Sequence, residues 1–153
     1  MIPRHLEILF CDDVRHEVGG KLSFIGVYSG GLLVPKFPIT LPKLCVSFKV
    51  VTPASEPLRS LTVSVLKDDE TLQEMTVAED ELSGASGLTE DLPEDQRRDR
   101  FQMTQFLLVF SPIRFEKPCT LKVRAQTESD ELRGVGLNVA EMPSPAESAS
   151  ESP

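Results

Sequence analysis

A chain of 153 residues, 40% of them hydrophobic, is one domain's worth and can bury a core without disulfides or a metal. Its net charge of −8 lacks the basic surface that displaces counterions from nucleic acid or settles on anionic lipid, and no run reaches the ~18 apolar residues of a membrane span. Cys11, Cys45 and Cys119 lie far apart with no CxxC, and an acidic pair follows the first apolar run where a secretory leader would continue, so a reduced, cytoplasmic protein is expected.

Period-2 patterning runs along nearly the whole chain, which predicts an all-β fold: an antiparallel β-sandwich, with a barrel as the alternative. Residues 6–11, LEILFC, read as a buried strand. The stretch DVRHEVGGKLSFIGVYSGG, residues 13–31, reads as a hairpin whose loop is set by register. A two-residue loop, Gly19-Gly20, would mix charge and apolar bulk on both faces. A three-residue loop, Gly19-Gly20-Lys21, pairs Val18 with Leu22 and His16 with Phe24, turns His16 inward, and leaves Arg15 and Glu17 outside with Ser23 and Ile25. A phosphate cradle is not expected, because the glycines feed a strand and not a helix N-terminus.

Prolines at 35, 38 and 42 keep PKFPITLP out of a central strand and suit an edge or a crossing between sheets. Residues 43–51 alternate with Leu44, Val46, Phe48 and Val50 toward a core and Ser47 and Lys49 toward water. Leu61, Val63 and Val65 repeat the spacing, and Asp68-Asp69-Glu70 turns the chain into TLQEMTV. Residues 79–100 form a connection longer than the ~12–15 residues usual for an irregular loop, with Pro93 at a first helical position and Arg97, Arg98 and Arg100 late enough to suit a short helix. FQMTQFLLVF, 101–110, becomes apolar on both faces, which predicts a central, best-protected strand. Leu121, Val123 and Ala125, the turn TESDE, and then Val135, Leu137 and Val139 predict a closing hairpin. Residues 1–141 are expected to form the domain, and 142–153 a disordered acidic Ser/Pro tail with almost nothing to bury.

No catalytic residue, cofactor site or resident metal is expected. Asp12, Asp13, Asp68, Asp69 and Glu70 are the candidate metal ligands, since converging acidic turns can hold calcium, but they lack the spacing of a self-contained loop and read first as solvated turns. Two histidines leave little for nucleophilic catalysis, and the chain has neither G-x-S-x-G nor H-E-x-x-H. The functional expectation is a non-catalytic protein-interaction or accessory module, with Arg15, Glu17, Arg97 and Arg98 as partner-binding candidates and a protein partner or self-association as the occupant. The alternatives are a loop-based ligand or calcium site and, behind it, a carboxylate-using hydrolase.

The segment FCDDVRHEVGGKLSFIGVYSGGLLVP resembles a set of small bacterial proteins of unknown function that share a CDD-x-R-x-E-x-GGK-x-S-x-IG-x-Y opening. The resemblance implies a bacterial, cytosolic, standalone domain and brings no catalytic residues. The closing FEKPCTLKVRAQTESDELRGVGLNVA is similar to the last hairpin of immunoglobulin-like modules, which implies an immunoglobulin-like sandwich.

Overall fold

A computed structural model describes residues 2–82, 93 and 100–143. Two sheets face each other. The first has the order β2 (Leu22–Val27), β1 (His5–His16), β5 (Leu44–Pro53), β8 (Phe101–Phe110), all antiparallel. The second has the order β3 (Gly31–Val34), β12 (Leu137–Glu141), β10 (Cys119–Thr127), β6 (Leu61–Lys67), β7 (Glu70–Val77), with β11 (Glu131–Arg133) also on β10. The all-β sandwich read from period-2 patterning is what forms, with one pair that departs from it: β3 runs parallel to β12.

The core follows from the alternation. Leu44, Val46, Phe48 and Val50 of β5 meet Leu61, Val63 and Val65 of β6, Leu121, Val123 and Ala125 of β10, and Leu137 and Val139 of β12 in one buried cluster. The rings of Phe48 and Phe106 stack at 5.0 Å. Between the sheets the chain crosses through residues 35–42, where β4 (Ile39–Leu41) pairs with β9 (Ile113–Phe115) in a two-stranded ribbon. The proline-rich segment therefore makes the crossing that its missing amide donors suggested.

An ion pair closes one end of the sandwich. The Arg4 side chain is 9% exposed and holds Glu128 of the β10–β11 turn at 2.9 Å. Its Nε donates to Thr52 Oγ1 at 2.9 Å and its Nη2 to the Glu56 carbonyl at 2.8 Å, while Glu128 Oε2 accepts the Arg59 amide at 3.1 Å. Hydrogen bonds on every side of the guanidinium make this pair far more constrained than a solvated surface bridge.

Five expectations are corrected. Among the described residues the strand at 101–110 is an edge, not a centre: there β8 pairs with β5 alone, and its odd-numbered side chains face outward, with Met103 63% exposed. The central, doubly covered strand is β5, where Ser47, expected in water, is buried and accepts a hydrogen bond from Gln105 Nε2 at 3.3 Å. In the hairpin, the loop has three residues but they are Val18, Gly19 and Gly20, since Glu17 N–H donates to the Lys21 carbonyl at 2.8 Å and His16 pairs with Leu22. The base sets this register, with Tyr28 N–H bound to the Phe10 carbonyl at 2.9 Å, so the two positive-φ glycines take the last loop positions and Val18 the tip. A shift of two leaves the faces as expected: Arg15 and Glu17 share one with Ser23.

His16 is exposed rather than inward, because pairing of β1 with β5 ends at Cys11–Cys45 and β1 beyond it has only β2 beside it. Val135 does not continue a strand either. It lies 82% exposed between β11 and β12, where Gly134 packs on Ile8 and a side chain at Gly136 would come within 2.8 Å of the Leu121 carbonyl.

In the connection after β7, residues 79–82 are helical. The short helix expected from Pro93 onward falls mostly on residues outside those described, as do Arg97, Arg98 and the tail from 144. Replacing Phe48 by alanine should cost ~3–5 kcal/mol by urea denaturation, while Val135→Ala should change stability by no more than ~0.5 kcal/mol. Comparable losses at the two positions would contradict this account of the core.

Candidate interaction surface on the first sheet

The residues of the CDD-to-Tyr opening converge on the base and outer half of the β1–β2 hairpin. Tyr28 Oη donates to the Asp12 carboxylate in a short hydrogen bond. Gly26, at φ +68°, packs directly on that carboxylate, where a Cβ would overlap it, so only glycine serves here on both steric and conformational grounds. Lys43 Nζ pairs with Asp13 Oδ1 at 2.5 Å, and Asp13 Oδ1 also accepts the Val14 amide at 2.9 Å. Arg15 Nε reaches Glu17 Oε1 at 2.9 Å, and Ser23 Oγ donates to the same oxygen at 3.2 Å.

These contacts set the local electrostatics. Hydrogen bonding from Lys43, then from the Val14 amide, holds the Asp13 carboxyl below its ordinary range, and the same bond raises the Lys43 ammonium. Burial, then the bond to Asp12, pushes the Tyr28 phenol up to about 12. Burial likewise raises the Cys11 thiol to about 11, and both Cys11 and Cys45 donate their S–H to backbone carbonyls, of Asp13 and Asp12. Thiols held protonated in this way are poor nucleophiles. The cluster is chemically an anchor: each charged or polar group is spent on holding the hairpin at a fixed angle to the sheet.

Side chains directly opposite across a ladder point to the same face. Register therefore lines up Val27, Cys11, Cys45 and Val109 across the outer face of the first sheet, and Leu9, Ser47 and Leu107 in the next row. Val27 and Val109 at the ends of the first row are each 51% exposed. Asp13 with Lys43, and Glu7 opposite Lys49, form a charged rim. Phe24 of the hairpin, with Glu7, Leu9, Ser47 and Lys49, lines a shallow recess of about 210 Å³.

The expected site residues are distributed unevenly. Arg15 and Glu17 lie on the hairpin and satisfy each other, with the Arg15 side chain 70% exposed. Asp12 and Asp13 belong to the hairpin anchor, whereas Asp68, Asp69 and Glu70 form the β6–β7 turn of the other sheet, where Asp68 Oδ1 accepts the Thr120 amide at 2.9 Å and Glu70 pairs with Lys67. The two acidic sets are not brought together, and among the described residues no group of three His, Cys, Asp or Glu side chains is placed to hold a metal ion. The exposed apolar row was missed from sequence. Its signal was Leu107 and Val109 on the odd-numbered side of β8, read as burial on a second face.

The chain matches the model of a family of unknown function, DUF6941, over residues 7–140. It belongs to that family. The DUF6941 match runs from β1 into β12 and so spans both sheets and the hairpin of this chain. No curated protein and no solved structure matches the chain. Among the described residues, no helix is long and apolar enough to cross a membrane.

The chain has one tyrosine and no tryptophan, so the ultraviolet absorbance of phenolate reports Tyr28 alone. It should titrate near pH 12, against about 10 for a free phenol, and Asp12→Asn should lower that midpoint. Because the folded state holds this proton more tightly, the contribution to stability is complete below pH 10 and is lost as pH rises through 12. A midpoint at 10 in the folded protein would contradict the anchored geometry.

Proposed function

We propose that the protein is a non-catalytic interaction module that receives a protein partner on the outer face of its first sheet. One observation carries the reading: the apolar row from Val27 to Val109 is exposed at both ends and rimmed by charge, on a sheet whose opposite face already forms the core. Cys11 and Cys45 between them are buried, so the surface offered is the two exposed apolar ends beside a charged rim, and exposed apolar side chains rimmed by polar groups are a common mark of a protein-binding site. The acidic chain, with a net charge of −8, supports a protein occupant over nucleic acid or an anionic membrane. The chemistry-bearing side chains near the row support the same reading, since they are engaged in holding the hairpin.

Further features of the proposal rest on the sequence. The opening from Cys11 to Tyr28 is proposed as a motif shared with bacterial relatives, and the odd, scattered set of thiols as that of a reducing cytoplasm. The immunoglobulin-like form of the sandwich is likewise proposed, from the C-terminal hairpin pattern.

Affinity capture from the native cell tests the reading with two point variants. Val27→Glu, at one exposed end of the row on the first sheet, should abolish recovery of the partner that the unaltered chain recovers. Leu33→Glu, an exposed position on the second sheet, should leave recovery unchanged. Equal recovery by both variants would overturn the assignment of the face.

A further inference from the structure

Among the described residues, the outermost strands of the two sheets are protected unequally. Native sheets blunt their edges with charge, proline, bulges or short strands, since an open row of amides and carbonyls recruits another strand. The edge strand β7 carries Glu70 and Glu74 beside a bulge at Val65/Leu66. β3 has four residues and runs into Pro35, and β2 has six, interrupted by Gly26 at positive φ. β8 has ten residues with no charge, proline or glycine, and the uncharged stretch continues to residue 113. Among the described residues no strand lies beyond it.

Resting on the interaction reading above, we propose that the partner at this edge is a second copy of the same chain, paired β8 to β8 in antiparallel fashion about a two-fold axis through Phe106. Two chains of charge −8 repel each other overall, and an uncharged strand is a place where they can approach closely without bringing like charges together. The strand is also self-complementary in this register. Pairing about Phe106 sets Met103 opposite Val109 of the partner subunit, and Val109 opposite Met103 of the partner subunit, so the two most exposed apolar side chains of the strand cover each other twice. Gln105 then meets Leu107 of the partner subunit, and all four side chains stay on the outer face. The two first sheets become one eight-stranded sheet, and the apolar row from Val27 to Val109 extends across the axis into its copy.

Sedimentation of the full chain over a range of concentrations tests this. The unaltered protein should approach the mass of two chains as concentration rises. Met103→Glu alone and Val109→Lys alone should each reduce it to the mass of one, with circular dichroism unchanged. The double variant Met103→Glu/Val109→Lys should regain the two-chain mass, because each glutamate then faces a lysine across the axis, and that regained mass should be lost again in high salt. An unaltered protein that keeps the mass of one chain throughout, or a double variant no more associated than the singles, would overturn the pairing. Loss of the captured partner by Val27→Glu is read separately, so the pairing can fail while the broader interaction reading stands.

Discussion

The first sheet depends on one strand. β5 is buried on both faces: Leu44, Val46, Phe48 and Val50 fill the sandwich, while Cys45, Ser47 and Val51 lie covered on the other side. A strand in that position has no freedom of register, since a slip by one residue would drive Ser47 and Lys49 into the core. β1 and β8 inherit their alignment from it, along seven and ten paired positions. The outward row of Val27, Cys11, Cys45 and Val109 is thus a consequence of core packing. The surface proposed to bind is aligned by the strand least able to move.

The hairpin is held by different physics. Beyond Cys11, β1 leaves β5 and runs on with β2 alone, and an isolated two-stranded ribbon is marginal in water. Polar contacts supply what apolar packing does not: the Tyr28 hydroxyl on Asp12, the close approach that Gly26 allows, and Lys43 on Asp13. The cluster looks like chemistry in the sequence, with paired carboxylates, a thiol and a tyrosine in a short span. Its geometry commits those groups to each other. Raised thiol and phenol pKa values are what burial inside such an anchor produces, and they oppose nucleophilic use of either group.

The fold was legible where one face is buried and the other wet. Leu61, Val63 and Val65, and Leu121, Val123 and Ala125, alternate as expected because a single buried face imposes period 2. It was less legible where both faces are apolar, because such a run does not distinguish a covered strand from an edge with an exposed apolar face. FQMTQFLLVF and KLCVSFKVV were assigned the wrong way round for that reason: Gln105 over Ser47 hides a hydroxyl that sequence places in water. The parity of the glycine hairpin was recoverable from its charges, but its exact register was not, since the Tyr28–Phe10 pairing that sets it lies eight residues from the loop tip. The Arg4–Glu128 pair, 124 positions apart, left no local signal.

The proposed function rests on what the sheets leave uncovered: in this acidic DUF6941 sandwich the strand β8 carries no charge along its ten residues. Amide hydrogen exchange of the full chain, compared between dilute and concentrated samples, reads that surface most directly. The account predicts that β5 exchanges most slowly at both concentrations, and that amides of β8 from residue 103 onward slow further on concentration while those of β7 do not. Exchange in β8 that is independent of concentration, or a β8 as protected as β5 in dilute solution, would contradict it.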